Sequence, residues 1–320
     1  MASTIIGKSG RIYVQGEVLQ RHRENHRFSI FKADSGDKSF VLKRVPKPFY
    51  DLSLRLAAEL PDSHRLRIYI DHSQEEGILI YPYFRDTLLA LIQGDADLRM
   101  AERKKILRCT GEALQELHHK DWIHIADVKP DNILINWTYD KDGNKTVTDV
   151  ALGDFDIAYK LEKAESRQTP YAIGNAMWRS PEGQTGRGVT KASDIFSFGL
   201  ACIYALGGGD LLLLHAYDEL VKRGISPEQE IVVRHFSYFG PVPESLLDRV
   251  ESKLWRAAFE DASKMADGAV KEQPLLRFER WGEDLGPEAL SLISGMTNLD
   301  PEARSTIDQV LTHLWWEEDT

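Results

Sequence analysis

A short run of acidic, amide and lysine residues near the middle of the chain has the composition of a catalytic or metal-binding segment. It reads Asp127-Val-Lys-Pro-Asp-Asn132, the apolar segment 133–135 follows it directly, and Asp154-Phe-Asp156 comes further along the chain. Carboxylate and amide oxygens are the ligands that a hard divalent cation prefers. The same residue types also favour turns, so a surface turn is the alternative interpretation. The apolar segment and the later Asp154 favour a functional site.

The first third of the chain has the pattern of a small sheet with one helix. Segments rich in β-branched and aromatic residues predict strands, and Pro46 and Pro48 interrupt them. A short helix is predicted over 51–60, and Pro61 ends it. The segments predicted as strands, the first three antiparallel, are 11–15, 27–32, 39–43, 66–70 and 78–83.

The rest of the chain, from Arg85 onward, has mainly the periodicity of helices. One long helix is predicted from a face with spacings of three and four residues, which comprises Ile106, Thr110, Ala113, Leu114 and Leu117. Within 132–155, two apolar strands flank the turn-forming run 140–144. We therefore predict an α+β fold of two lobes, a sheet lobe with one helix over 1–84 and a larger, mainly helical lobe over 85–320.

Composition excludes several classes of protein. The 320 residues are 42% hydrophobic and 28% charged, which disfavours collagen, coiled coil and low-complexity disorder. A formal net charge of -10 disfavours nucleic acid and anionic membrane as partners. Cys109 and Cys202 both lie in apolar runs, so we expect no disulfide and a reducing compartment. With no signal sequence expected, and the uncharged run 195–209 too short to span a bilayer, the sequence predicts an intracellular protein, cytoplasmic or nuclear.

The segment around Asp127 resembles the catalytic loop of eukaryotic-type protein kinases, and further matches occur in the order in which that family carries them. Lys43, in Phe40-Val-Leu-Lys43, is similar to the lysine of the third strand, and Asp154 to the metal-binding acid. The run 174–182 resembles the end of an activation segment, with Ser180-Pro-Glu182 at its last position. The resemblance covers almost the whole chain, and it implies a two-lobed kinase fold.

The resemblance implies a role for each polar residue of the central segment. Asn132 and Asp154 would bind Mg²⁺, or Mn²⁺ in its place, beside the phosphates of ATP. Asp127 would orient the substrate hydroxyl and accept its proton. Lys129 would place a positive charge beside the transferred phosphoryl group, and a lysine at this position is typical of Ser/Thr kinases rather than tyrosine kinases.

The nucleotide would lie between the two lobes. Lys43 would pair with the α and β phosphates, and Glu59 on the short helix would hold that lysine. The alternatives are a solvated strand lysine and an exposed helix glutamate. Adenine would hydrogen-bond to the backbone near Tyr83, and Tyr81 would narrow the deeper pocket. The aliphatic residues expected against adenine, which could equally be core residues, are Ile30, Val41 and Leu134.

Three residues carry structural roles that the resemblance implies. Asp194, in Ser193-Asp-Ile-Phe-Ser-Phe-Gly199, would accept backbone hydrogen bonds from the catalytic loop. Arg304, in Asp300-Pro-Glu-Ala-Arg304, would form a buried ion pair with Glu182.

The sequence also departs from the family. The three glycine positions of the phosphate-covering loop fall at Arg23, Asn25 and Phe28, in a basic segment that either supplies charge to phosphates or forms a solvated hairpin tip. His124 stands one residue too early for the H-R-D signature, whose arginine is absent. Asp156 replaces the glycine of D-F-G, and it either joins the metal site or only adds negative charge.

Taken together, these features predict a divergent ATP- and Mg²⁺-dependent Ser/Thr protein kinase that lacks the glycine-rich loop. Its partner would be a protein substrate with a Ser or Thr acceptor, with no nucleic acid or membrane involved, and its oligomeric state stays undetermined. A pseudokinase scaffold with weak or no turnover is the alternative. Phosphorylation of a small molecule is a third possibility, because fold does not fix substrate.

Overall fold

A computed structural model describes residues 3–125, 127–162, 165–212 and 216–318. The first part of the chain forms a six-stranded antiparallel sheet in the order β1-β2-β3-β4-β6-β5. Its strands are β1 (Thr4–Ile6), β2 (Ile12–Gln20), β3 (Ile30–Ser35), β4 (Lys38–Arg44), β5 (Asp71–Ser73) and β6 (Ile78–Pro82). The single helix of this lobe is α1 (Lys47–Glu59). The predicted sheet with one helix is therefore confirmed.

Alternation along β4 decides which residues face the rest of the molecule. Successive side chains of a strand point to opposite faces of its sheet. Phe40 and Leu42 pack into the small core on one face, with Tyr13 and Ile80 among their neighbours. Val41 and Lys43 therefore point to the opposite face.

Several boundaries differ from those that the sequence predicted. Strand β2 runs on to Gln20, beyond the predicted 11–15, and β3 begins at Ile30 rather than at residue 27, because residues 26–28 form a 3-10 turn. Residues 66–70 form no strand of this sheet: Leu66 makes an isolated bridge to Leu152, and the N–H of Arg67 donates to the Leu152 carbonyl at 2.7 Å. The segment is thus held by the second lobe, and Asp71–Ser73 becomes the edge strand instead. Helix α1 begins before residue 51, because Pro48 is preorganised for a first helical turn.

The second lobe is mainly helical. Its strands are β7 (Asp86–Thr87), β8 (Trp122–Ile123), β9 (Ile133–Tyr139), β10 (Lys145–Leu152) and β11 (Tyr159–Lys160). Its helices are α2 (Leu88–Gly94), α3 (Met100–His119), α4 (Pro181–Thr185), α5 (Lys191–Ile203), α6 (Gly209–Leu212), α7 (Tyr217–Lys222), α8 (Pro227–Phe239), α9 (Glu244–Val250), α10 (Lys253–Glu272), α11 (Phe278–Trp281), α12 (Pro287–Met296) and α13 (Ile307–Leu311). The predicted hairpin and long helix are confirmed as β9–β10 and α3.

Helix α5 lies at the centre of this lobe. The helical stretch Lys191–Leu212 is 22 residues long and apolar enough to cross a membrane, and 67% of its most apolar window is buried within the fold. This burial indicates a core helix. The division after residue 84 stays a prediction, since Leu56, Leu60 and Leu66 pack into the same core cluster as α5.

The structural residues behave as expected. The Asp194 carboxylate accepts from the backbone N–H of His124 at 2.7 Å. Arg304 and Glu182, both 0% exposed, form an ion pair at 2.8 Å. These two contacts are confirmed, and they tie the catalytic loop and the start of α4 to the core.

Candidate active site

A cavity of about 260 Å³ lies between the sheet and the helical lobe. Seven residues that the sequence predicted for a nucleotide and metal site line it: Ile30, Val41, Lys43, Tyr83, Asn132, Leu134 and Asp154. Strands β3 and β4 supply the first three from above. Hairpin β9–β10 and its flanking residues supply the last three from below. The two lobes thus bring together residues that are far apart in the chain.

The hairpin explains why Asn132 and Asp154 meet. Ile133 pairs with Leu152 at the open end of β9–β10, so the residues just beyond each strand end are neighbours. The N–H of Gly153 donates to the Asn132 carbonyl at 2.8 Å. Sequence spacing alone leaves this register open, and the antiparallel ladder decides it.

Lys43 bridges two carboxylates at the floor of the cavity. Its Nζ lies 2.7 Å from Asp154 Oδ1 and 2.8 Å from Asp156 Oδ2. Burial alone would lower the pKa of Lys43, but the two carboxylates outweigh burial and raise it. Lys43 therefore stays a cation throughout the physiological pH range.

The two carboxylates are not equivalent. Burial opposes ionisation of Asp154, but Lys43 outweighs it and lowers the pKa of Asp154. Burial raises the pKa of Asp156, and the charge of Asp154 adds to that rise despite the same lysine. Asp154 also has φ 62°, a left-handed conformation that is uncommon outside glycine and that concentrates at functional sites.

The catalytic-loop residues form one hydrogen-bonded group around Asp127. Lys129 Nζ lies 2.9 Å from Asp127 Oδ1. The side-chain amide of Asn132 donates to the Asp127 carbonyl and to its Oδ2, both at 2.9 Å. Asp127 is 6% exposed, so its carboxylate is held in one orientation rather than solvated.

The residues present fit a hard divalent cation. Asn132 uses its amide nitrogen for Asp127, which leaves the amide oxygen without a donor among the described residues. The Asp154 side chain is 45% exposed because it faces the cavity. Oxygen ligands with room for several waters are what Mg²⁺ requires.

Glu59 does not meet Lys43, so the predicted pairing of these two residues is wrong for this structure. Its carboxylate accepts instead from Lys160 Nζ, from Trp122 Nε1 at 2.9 Å and from Arg55 Nε at 3.3 Å. The pairing of β8 with β11 sets Trp122 beside Lys160, and both face the end of α1. Burial would raise the pKa of Glu59, but these hydrogen bonds lower it.

His124 reaches the D-F-G segment despite its shifted position. Its Nε2 lies 2.9 Å from the Gly153 carbonyl, and its ring packs on Phe155 at 5.0 Å between centroids. Ile125 has φ 60°, a strained conformation for a β-branched residue. Ala126, between Ile125 and Asp127, lies outside the described residues.

The segment in the place of the glycine-rich loop leaves the cavity. Leu19 and Gln20, at the end of β2, line the cavity roof. His26 and Arg27 line a separate cavity with Leu42, on the opposite face of the sheet from Lys43. In this structure the basic segment thus does not face the position expected for phosphates.

Arg67 is a cationic lining residue that the sequence did not indicate. Its Nε and Nη2 donate to the Pro82 carbonyl at 3.1 and 3.0 Å, and its guanidinium lies 5.0 Å from the centroid of the Tyr81 ring. An arginine in a segment predicted as a strand carries no local signal of such a contact. The other lining residues missed were Leu19, Gln20, Phe84, Thr87, Asp131, Gly153 and Phe155, with Tyr81 expected only at the deeper end.

With the fold and this geometry established, comparison with known proteins gives the class. Residues 66–316 match the family described as "Protein kinase domain". The chain belongs to the protein kinase domain family, and its two-lobed α+β fold is the one predicted.

Two curated relatives and one solved structure illustrate the similarity. Serine/threonine-protein kinase/endoribonuclease ireA of Aspergillus fumigatus is 25% identical over 256 residues, covering 66% of this chain and 21% of that protein. Serine/threonine-protein kinase PknA of Mycobacterium tuberculosis is 32% identical over 123 residues, covering 38% of this chain and 26% of that protein. The chain thus spans a minor part of the length of these relatives.

The solved structure is that of a CAK complex from Chaetomium thermophilum bound to ATP-gamma-S. One of its chains matches with a TM-score of 0.65 and 20% identity, covering 96% of this chain and 91% of that chain. At this identity the match shows the fold.

Proposed function

We propose that this protein is an ATP- and Mg²⁺-dependent Ser/Thr protein kinase that transfers the γ-phosphoryl group to a protein hydroxyl. The observation that carries the proposal is that Lys43, Asn132 and Asp154 line one cleft, with Asp127 and Lys129 joined to it through the hydrogen bond from Asn132 to Asp127. Mn²⁺ would serve in place of Mg²⁺, since both accept oxygen ligands. The names of the relatives support a Ser or Thr acceptor.

Each side chain has a defined task in that reaction. A divalent cation held by Asn132 and Asp154 would neutralise phosphate charge. Lys43, kept cationic by two carboxylates, would bind the α and β phosphates. Asp127 accepts the proton of the substrate hydroxyl, and its orientation is set by Asn132.

Lys129 shares the Asp127 carboxylate, which places a positive charge where the phosphoryl group would pass. Adenine would lie between Ile30 and Val41 on one side and Leu134 on the other, with Tyr83 at the connection of the lobes.

A pseudokinase scaffold is the second candidate function, and specific observations favour it. Glu59 is bound to Lys160 rather than to Lys43, and the glycine-free segment 21–27 leaves the cavity. Asp154 and Asp156 both form ion pairs with Lys43, the lysine that would bind the phosphates. These features reduce nucleotide affinity without removing any of the polar groups that the transfer uses.

Phosphate transfer to a generic basic protein tests the first candidate. Asp127→Ala removes the group that orients and deprotonates the hydroxyl, so transfer should fall by at least about 100-fold. The matched control is Asp142→Ala, an exposed aspartate at the tip of the β9–β10 hairpin, which should leave the rate unchanged.

Thermal unfolding with nucleotide separates the two candidates. Ligand at 100 times its dissociation constant stabilises a protein by about 2.7 kcal/mol. An unmoved midpoint in millimolar ATP and Mg²⁺, together with no transfer from wild type, contradicts the kinase proposal and favours the scaffold.

We also propose that residues 1–84 and 85–320 act as the two lobes of one catalytic unit with a protein substrate, in the cytoplasm or nucleus. The sheet ends at Pro82 and the next strand, β7, pairs with the second lobe, which supports that division. The expectation of no nucleic-acid or membrane partner rests on the net charge of -10.

A further inference from the structure

The guanidinium of Arg67 lies at the back of the cleft, where a nucleotide base would enter. It lines the same cavity as Val41 and Leu134, the aliphatic residues expected against the base. Its side chain is anchored through two donors to one acceptor, the Pro82 carbonyl at the connection of the lobes. A Cβ added to Gly153 would lie 3.5 Å from Arg67 Cδ, so the side chain also packs on the segment that precedes Asp154.

The guanidinium of Arg67 keeps donors that no described residue binds. The ion pairs found across the described residues include none for it, and its Nη1 makes no hydrogen bond with any of them. Burial lowers the pKa of Arg67 to about 10, although Tyr81 and the Asp154 carboxylate offset part of that fall, so the group stays cationic at neutral pH. A half-buried guanidinium that lines the cavity and has an unbound Nη1 can receive an acceptor from a ligand.

Purine bases differ in what they offer such a group. Guanine and hypoxanthine present two acceptors, O6 and N7, which a guanidinium binds in a bidentate manner. Adenine presents N7 and the N6 amino group, a donor that would face the donors of Arg67. The Pro82 carbonyl, which could accept from an amino group, is already bound by Arg67. The back of the cleft is therefore matched to a 6-oxo group.

We propose that Arg67 is a base-selecting residue, through which this cleft accepts a 6-oxopurine nucleoside triphosphate alongside ATP and binds it more tightly. This inference rests on the proposed function in one respect: the bound nucleotide serves as a phosphoryl donor only if the protein is a kinase. The binding preference itself is independent of turnover.

Equilibrium binding of GTP, ITP and ATP to the full chain, each with Mg²⁺, tests the preference. GTP and ITP share the O6 atom, but ITP lacks the 2-amino group of GTP. Tight binding of both nucleotides would therefore show that O6, and not the 2-amino group, determines the preference. We expect both to bind at least about fivefold more tightly than ATP, the lower range for one bidentate pair.

Variants of Arg67 test the residue. Arg67→Met keeps much of the volume without the charge, and it should bring the ratio of ATP to GTP dissociation constants to about one or below. Arg67→Lys keeps the charge without the fork and should give an intermediate ratio. The matched control is Arg65→Met, because Arg65 pairs with Glu112 at 2.8 Å and does not line the cavity. It should keep the wild-type ratio.

Each remaining outcome has one meaning. The proposal is overturned if the wild-type protein binds ATP more tightly than GTP and ITP. It is also overturned if Arg67→Met lowers all three dissociation constants equally, since Arg67 would then only obstruct the cavity. If Arg67→Met does not fold, the three dissociation constants of the wild-type protein and those of Arg67→Lys test the proposal. If GTP and ITP bind selectively but no phosphate is transferred, only the proposed function is contradicted. If phosphate is transferred from ATP and binding shows no base preference, only this inference is contradicted.

Discussion

Two carboxylates, those of Asp154 and Asp156, share the single cation of Lys43 at the floor of the cleft. Lys43 cannot fully neutralise Asp154 and Asp156 together, and the excess negative charge falls on the more weakly compensated Asp156. An additional cation or the loss of one carboxylate would relieve that excess.

Asp156→Asn should therefore stabilise the nucleotide-free protein at neutral pH. The raised pKa of Asp156 means that the folded state holds a proton more firmly than the unfolded state, whose value is 3.8. Stability is thus lost as pH rises from 3.8 through the raised pKa, and that loss persists at pH 7. Denaturant unfolding should show a gain for the variant at pH 7 that disappears at about pH 4.

The control for this prediction is Asp142→Asn, which changes the same charge on the exposed hairpin tip. A stability gain that is equal at both pH values, or is shared by the control, would contradict the assignment of the effect to the shared lysine.

At the scale of elements, the position of α1 is set by its C-terminal end. Glu59 joins α1 to β8 and β11 through Trp122 and Lys160. Members of this family require a lysine–glutamate pair in the active state. The structure therefore shows α1 held in an arrangement in which Lys43 pairs with Asp154 and Asp156 instead.

Lys160→Ala should raise the phosphate-transfer rate. Loss of Lys160 removes the strongest cation on Glu59 and frees the glutamate to approach Lys43. Initial rates at saturating ATP and Mg²⁺ would measure the change, for which we expect several-fold.

Arg55→Ala is the matched control, because Arg55 also pairs with Glu59 but lies on α1 itself. Its removal leaves the connection to β11 in place, so the rate should not rise. A Lys160→Ala variant with an unchanged or lower rate argues against a restraining role for this contact.

The ion pair between α4 and the segment before α13 is structural. Arg304 and Glu182 are both 0% exposed, and Ser193 also donates to the glutamate at 2.8 Å. Arg304→Leu leaves a buried carboxylate without its cation, which costs about 3–5 kcal/mol. Urea denaturation should show this loss, and Arg249→Leu, which breaks the exposed pair with Glu302, should change stability by under about 1 kcal/mol. Equal losses in the two variants would contradict the burial argument.

At the scale of the whole molecule, the two lobes share a core. Leu56 of α1 and Leu60, just after its end, belong to the same core cluster as residues of α3 and α5, whereas Leu54 of α1 packs against a small cluster under the sheet that includes Leu79. Helix α1 therefore belongs to the sheet lobe by chain order and to both lobes by packing. Coupled unfolding of the lobes follows from that arrangement.

Leu56→Ala should destabilise both lobes together, by about 2–5 kcal/mol. Amide hydrogen exchange would then show lost protection in β4 and in α5 alike. Leu54→Ala is the control on the same helix: its loss should be smaller and confined to the sheet. Protection that is retained in α5 of the Leu56 variant would show that the lobes unfold independently.

The sequence by itself determined the elements and the local chemistry. Alternation along 39–43 placed Lys43 on one face of a strand, and the run from Asp127 to Asn132 was predicted to precede an apolar strand, which the structure contains as β9. These features depend on neighbours a few residues apart, so the order of residues is enough to predict them.

Only the tertiary structure decided which distant groups meet. Glu59 binds Lys160 rather than Lys43, and Arg67 reaches the Pro82 carbonyl at the connection of the lobes. Both contacts join segments whose relative placement is set by packing of α1 and of residues 66–70 on the second lobe. A long charged side chain has several partners within reach of its backbone position, and only the packed fold selects among them.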